Sequence, residues 1–230
     1  MSDHMIRMAE QVGGKKIDVR EPEPRWPAII AAISVGLLHY AMPEAFTMGP
    51  GWITLVLVAV LMVPATVTHR LGRRHLNEIF AYGALGVITL ALLSSVVLLV
   101  RSLPDHSMKP VDLLRAAATL WVSNILVFAS WYWRLDGGGP NERDRRGAHE
   151  DGAFLFPQMV LPPDQRRQMG EDKWSPGFVD YLFLAFNTST AFSPTDVPVL
   201  SRWAKVMMIV QSMISLTTVA LLAARAVNII

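Results

Sequence analysis

The chain has 230 residues, of which 52% are hydrophobic and 17% charged, and its net charge is +2. It contains no cysteine, which excludes a disulfide framework, a thiol nucleophile and a thiolate metal site. The small net charge gives no reason to expect a nucleic-acid partner. Because the charges are grouped and leave stretches of about 20 residues nearly uncharged, the composition indicates an integral membrane protein that resides in the lipid bilayer.

The predicted fold is all-α, a polytopic transmembrane helix bundle with about five full spans plus a short broken or re-entrant fifth segment. A polar N-terminal tail covers residues 1–25 and precedes a four-helix transmembrane region at 26–134. A polar connector at 135–176 leads to a last region, 177–230, which holds a short helix, a break and a final span.

Four apolar segments lie in the transmembrane region, at 26–42, 52–67, 79–103 and 111–133. The third is the clearest, because no charge precedes Arg101 within it. We expect the first to be a retained helix rather than a cleaved signal peptide, since the residues before it are polar and of mixed charge.

Basic residues are shared unevenly between the predicted loops. An inside N-terminus places about 15 of the 21 lysines and arginines on the inner side. The sequence therefore predicts a multi-pass protein of the bacterial inner (plasma) membrane with a cytoplasmic N-terminus. With this orientation, a full crossing by the fifth segment is the least strained arrangement, and it returns Arg225 to the cytoplasm.

The most informative stretch follows the connector. A short apolar helix, predicted at 178–192, turns polar at Asn187 and runs into a segment interrupted by Pro194 and Pro198. A final apolar helix is predicted at 202–230. A short helix, a non-helical stretch and a long helix form the layout of an ion-channel pore.

Residues 178–183 and 186–190 resemble the pore helix of tetrameric potassium channels, and Asp196 resembles the aspartate after their filter. The resemblance covers roughly 50 residues and implies an ion as ligand and a homo-oligomer, a tetramer. Where the filter reads Thr-Val-Gly-Tyr-Gly-Asp, this chain has Ala-Phe-Ser-Pro-Thr-Asp at 191–196.

The departure from that filter lies at its glycines. Ser193 and Thr195 occupy positions whose backbone angles are open mainly to glycine, and Pro194 restricts the backbone further. A carbonyl-lined potassium filter is therefore not expected. The predicted pore lining consists of hydroxyl and carboxylate side chains: Thr188, Thr190, Ser193, Thr195 and Asp196.

On the final helix, Gln211 and Ser215 are four positions apart and share one face. They have two interpretations, pore lining and interhelical hydrogen bonding, and the same pair applies to Asn124. The polar stretch at 187–198 likewise has two. It is an ion or solute site, or a helix break whose hydroxyls bond the freed carbonyls, with Asp196 as an N-cap.

Across its length the chain also resembles an uncharacterised family of small bacterial polytopic membrane proteins. The stretches that carry this resemblance are Asp-Gly-Gly-Gly-Pro at 136–140, Phe-Leu-Phe-Pro-Gln at 154–158, the 191–196 stretch and Ala-Ala-Arg-Ala-Val-Asn at 223–228. The resemblance implies a class of protein rather than an activity.

Nothing in the sequence indicates an enzyme, a metal or a cofactor. His69 and His75 lack metal-ligand spacing, and the glycine run at 137–139 lacks the Lys-Ser/Thr of a phosphate-binding loop. The predicted function is permeation of an ion or small solute through the channel-like C-terminal region. The alternative is a non-conducting scaffold or accessory subunit that binds a partner through the 135–176 connector.

Overall fold

The computed structural model describes residues 23–102, 109–146, 149, 151–171, 174–192 and 196–226. The helices are α1 Trp26–Tyr40, α2 Trp52–Arg70, α3 Arg74–Arg101, α4 Pro110–Leu135, α5 Pro140–Arg146, α6 Pro157–Val160, α7 Pro163–Gln168, α8 Phe178–Ala191 and α9 Arg202–Ala226. Short 3₁₀ turns occur at Glu44–Phe46 and Asp136–Gly138. The prediction of an all-α fold is confirmed.

Four of these helices, α2, α3, α4 and α9, are long and apolar enough to cross a membrane. Helix α1 is also apolar but has only 15 residues. Its composition and helix lengths therefore indicate a multi-pass membrane protein. At the centre lies α4, which packs against α1, α3, α8 and α9.

Two helices extend beyond their predicted ends into polar sequence. Helix α3 begins at Arg74 rather than at 79, and α2 continues through Pro64 to Arg70 rather than ending at 67. Pro64 removes one intrahelical donor without ending the helix. A hydropathy pattern detects only the apolar part of a helix, so polar terminal turns escape it.

The helices share one polar end, which we call the connector end. The start of α1, the end of α2 and the end of α4 meet there, because Arg25, Arg70 and Arg134 line one cavity. Helix α8 starts at the same end, where Phe178 packs edge-on against Trp133 with ring centroids 5.8 Å apart.

The connector folds onto this end of the bundle. Phe154 and Phe156 are buried and pack against Tyr181 of α8. The apolar patch at 154–158 is therefore docked on the bundle. The chain leaves α4 through Gly139, whose φ is +85° and whose added Cβ would lie 2.5 Å from the Arg134 carbonyl oxygen, so only glycine fits there.

Candidate functional site

Helix α8 enters the bundle from the connector end and stops inside it. Its 14 residues span roughly 21 Å, less than the hydrocarbon core of about 30 Å. The hydroxyl of Ser215 donates to the Ser189 carbonyl at 2.6 Å. Since Ser215 lies roughly 20 Å along α9 from its start, the last turn of α8 reaches about the middle of that helix.

The chain then returns to the connector end. Val199 forms an antiparallel bridge with Phe154, and the Leu200 N–H donates to the Ala153 carbonyl at 2.8 Å. Phe154 in turn packs against Tyr132 near the end of α4, with ring centroids 5.2 Å apart. Both flanks of the fifth segment are therefore at one end of the bundle, and we call the segment re-entrant in this geometric sense. The arrangement favours a return to the starting end over the full crossing preferred from the sequence.

The described residues show how α8 terminates. Phe192 has a left-handed conformation, with φ 55°, and its side chain is exposed. The last turn of a helix carries carbonyl groups without intrahelical donors and a partial negative charge. Placed near the middle of the bundle, such a terminus can stabilise a cation, as the ends of broken membrane helices do.

The predicted pore-lining side chains lie in different surroundings. The hydroxyl of buried Thr188 donates to the Leu184 carbonyl at 2.8 Å, and that of exposed Thr190 donates to the Phe186 carbonyl at 3.0 Å. Both hydroxyls thus bond to their own helix. Asp196 is exposed on the returning stretch. Ser193 and Thr195 lie outside the described residues.

A buried polar network, which we call the Gln211 clasp, holds α8 against α4 and α9. It consists of Asn124, Tyr132, Ser189, Gln211 and Ser215. The Gln211 amide nitrogen donates to Ser189 Oγ at 2.9 Å and to the Ala185 carbonyl at 2.7 Å. Its amide oxygen accepts from the Tyr132 hydroxyl at 2.6 Å.

The clasp brings together Gln211 and Ser215 as the sequence proposed, in hydrogen bonds between helices. Both side chains are fully buried. Asn124 joins them by donating from Nδ2 to the Gln211 backbone carbonyl at 3.0 Å. Of the two interpretations of this pair, interhelical bonding is the one seen within a single copy of the chain.

Beside the clasp, α8 and α9 form an open groove of about 570 Å³ on the outer side of the bundle. Thr188 and Ser212 are its hydroxyl-bearing side chains, and the rest of the lining is mainly apolar, including Phe192 and Met213. The groove therefore exposes the re-entrant segment to whatever lies next to the protein in the membrane.

The structure has a second polar cluster, at the connector end, that the sequence patterns did not predict. Asp136 is fully buried, and its Oδ2 accepts from the Tyr181 hydroxyl at 2.7 Å and lies 2.7 Å from His149 Nε2. A carboxylate can only accept, so Nε2 carries the proton and donates. Asp136 Oδ1 accepts from the Ala153 N–H. The carboxylate thus ties α4, the connector and α8 together.

Next to it, Arg143 binds Glu23 in a bidentate pair. Arg143 Nε donates to Glu23 Oε1 at 2.6 Å, and Nη2 donates to Oε2 at 2.9 Å. Trp133 Nε1 adds a third donor to Glu23 at 3.0 Å. The part of the predicted tail that the structure describes, Glu23 to Arg25, is therefore held against the bundle. The rest of the tail, 1–22, lies outside the described residues.

Sequence patterns gave only a weak indication of this cluster. Gly137, Gly138 and Gly139 all have positive φ, so the glycine run forms a defined turn that positions Asp136. An aspartate followed by three glycines at the end of an apolar span was the available signal. Among the described residues, no group of three His, Asp or Glu side chains is placed to hold a metal ion.

Comparison with known proteins adds no family to this geometry. No protein-family model matches the chain, no curated protein matches it, and no solved structure matches it.

Proposed function

We propose that the protein is a homo-oligomeric membrane channel for an ion or small solute, with α8 and α9 of each copy beside the pathway. The observation that carries this proposal is the re-entrant segment. A helix enters from one end, stops near the middle of α9 and returns to its starting end before a long apolar helix begins. The same order of elements underlies the resemblance to tetrameric potassium channels.

The terminus of α8 supports a cation as the permeant species. Its carbonyl groups point along the helix axis toward the interior of the membrane and carry partial negative charge. Selectivity for potassium is not proposed, because Ser193 and Thr195 replace the filter glycines.

The proposed pathway lies between copies of the chain, so it requires a homo-oligomer. Within one copy, the polar side chains of α9 that could face a pore, Gln211 and Ser215, are turned toward α4 and α8. The outer surfaces of α8 and α9 expose large apolar residues, among them Phe186, Ile209 and Met213, which suit contacts with a neighbouring copy. A tetramer is the arrangement that the resemblance implies.

The distribution of basic residues supports a cytoplasmic connector end and N-terminus. The described lysines and arginines near this end and on the connector are Arg25, Arg70, Arg73, Arg74, Arg134, Arg143, Arg145, Arg146, Arg166, Arg167, Arg202 and Lys205. Those near the opposite end are Arg101, Lys109, Arg115 and, in the last turn of α9, Arg225. The positive-inside rule then gives a loop that re-enters from the cytoplasm and, with α1 as a short fifth span, a C-terminus outside.

Labelling of single cysteines tests this topology, since the native chain has none. Arg167→Cys and Leu200→Cys should react from the same side of the membrane, and Ser102→Cys from the other. Opposite labelling of Arg167→Cys and Leu200→Cys would mean that the fifth segment crosses.

Flux into liposomes tests conduction. The purified protein should carry a monovalent cation, and Thr190→Val and Asp196→Asn should each change the flux by threefold or more. Thr217→Val is the matched control, because its hydroxyl also bonds to its own helix, at the Met213 carbonyl, but lies beyond the re-entrant segment. The proposal would be overturned if the wild type carried no flux, or if both variants carried the same flux as the wild type.

The accessory-subunit alternative is favoured by one observation on the connector, the exposure of the apolar side chains Val160 and Met169. Deleting 141–168 is not a clean test, since Asn141 and Arg143 bond to the bundle. Under this alternative, Val160→Ser with Met169→Ser should release a partner while leaving the fold intact, and the wild type should carry no flux.

A further inference from the structure

A cavity of about 350 Å³ lies at the connector end between the start of α1, the end of α2, the start of α3 and the end of α4. The arginines that line it are Arg25, Arg70 and Arg134. Glu23 also lines it, but this carboxylate is already bound by Arg143. The wall of the cavity is therefore positively charged.

Arg25 is only partly satisfied by the protein. Its Nη2 forms an ion pair with Asp144 and donates to Asn141 Oδ1 at 3.3 Å. Its Nε and Nη1 are buried and have no hydrogen-bond partner in the described part of the chain. Burial lowers the pKa of Arg25, and the nearby carboxylates of Asp144 and Glu23 act in the opposite direction. Buried donors of this kind are normally bonded, so Arg25 has two donors that the described protein groups do not use.

Arg134 packs on aromatic rings and forms no ion pair with an acid among the described residues. Its guanidinium carbon lies 5.3 Å from the ring centroid of Trp133 and 5.5 Å from that of Tyr82. Cation–π contacts orient the side chain without neutralising its charge. Arg134 therefore keeps a full positive charge at the cavity.

The deeper side of the cavity is apolar. A smaller cavity of about 30 Å³ shares Ala28, Met62 and Ala81 with it and continues along α3 to Ile88. Trp26 lines the larger cavity near the start of α1, in the kind of position that tryptophan takes at a membrane interface. The cavity thus combines positively charged side chains at its mouth with an apolar lining on its deeper side.

We propose that this cavity binds an anionic phospholipid, with the headgroup phosphate among Arg25, Arg70 and Arg134 and the first carbons of an acyl chain against the apolar lining at Ala28, Ile29 and Met62. Basic pockets between transmembrane helices on the cytoplasmic side bind anionic headgroups by the same combination. The inference does not depend on conduction, because it concerns helices α1 to α4.

Native mass spectrometry of the purified full-length chain, titrated with phosphatidylglycerol, tests the site. Each basic residue near an anionic surface contributes an interaction that corresponds to about a fivefold change in affinity. Arg70→Gln and Arg134→Gln should each weaken phosphatidylglycerol binding about fivefold, whereas Arg134→Lys should keep most of it. Arg101→Gln, at the opposite end of α3, is the matched control and should bind as the wild type does.

Parallel titrations with phosphatidylcholine and inorganic phosphate identify the ligand. We expect weak binding of phosphatidylcholine and no displacement of phosphatidylglycerol by millimolar phosphate. Displacement by phosphate would show an anion site instead of a lipid site and overturn the proposal. Unchanged phosphatidylglycerol binding by Arg70→Gln would also overturn the proposal. Because the Arg70 side chain is exposed, this variant should fold and gives a decision even if Arg134→Gln does not fold.

Discussion

Replacing Gln211 with leucine tests whether the Gln211 clasp holds α8 in the bundle. The substitution keeps a side chain of similar volume but removes both the donor and the acceptor of the amide. Three hydrogen bonds disappear, those to the Tyr132 hydroxyl, the Ala185 carbonyl and Ser189 Oγ. The bond from Asn124 to the Gln211 backbone carbonyl remains.

The expected cost follows from these three bonds. Interhelical hydrogen bonds in membrane proteins contribute about 0.6 kcal/mol each, and buried bonds in soluble proteins about 1 kcal/mol. Three bonds give about 2 to 3 kcal/mol of lost unfolding free energy. The Tyr132 hydroxyl, which is fully buried, loses its acceptor and moves the value toward the upper limit.

Unfolding in mixed micelles of increasing dodecyl sulfate content, followed by tryptophan fluorescence, measures this free energy. The adjacent half-buried Ser212→Ala is the control and should cost less than about 0.5 kcal/mol. A double-mutant cycle with Tyr132→Phe should give a coupling of about 1 kcal/mol. If Gln211→Leu is as stable as the wild type, the clasp does not hold α8.

Two further predictions concern the connector end and use the same unfolding assay. Asp136→Asn should cost about 3 kcal/mol, because an amide presents a donor to a site where three donors converge. Asp164→Asn, at an exposed position, should leave the unfolding free energy unchanged. An equal loss of unfolding free energy in both variants would show that the buried contacts of Asp136 do not stabilise the fold. Gly139→Ala should cost about 2 kcal/mol or more, since both its φ and the Arg134 carbonyl oppose a side chain. Gly86→Ala, in open space within α3, should be neutral or stabilise by up to about 1 kcal/mol, and a loss like that of Gly139→Ala would refute this distinction.

The helices that are long and apolar enough to cross a membrane could be predicted because hydropathy is a local property of the sequence. An uncharged apolar run such as that before Arg101 reports its own burial in lipid without reference to any other part of the chain. The predicted boundaries differ where polar residues join the helix, as at Arg74, because hydropathy does not distinguish a polar helical turn from a loop.

The connector and the re-entrant segment depend instead on partners far away in the sequence. Arg143 pairs with Glu23, 120 positions earlier, and Val199 meets Phe154 across the 178–192 segment. Composition shows that 141–146 is charged but not that its charges are paired. A 14-residue apolar helix is equally compatible with crossing and returning, so the sequence left this alternative open.

The return of both flanks of α8 to one end has a consequence for how the protein is made. A helix whose two flanks lie at one end has no anchor at the other, and the polar last turn of α8 is bonded by Gln211 and Ser215 of α9. Tyr132 of α4 acts only through Gln211, to whose amide oxygen it donates. The ribosome delivers α8 before α9 exists. The re-entrant helix must therefore take its final position after α9 has been inserted, which makes it the last part of the bundle to assemble and the first expected to leave it.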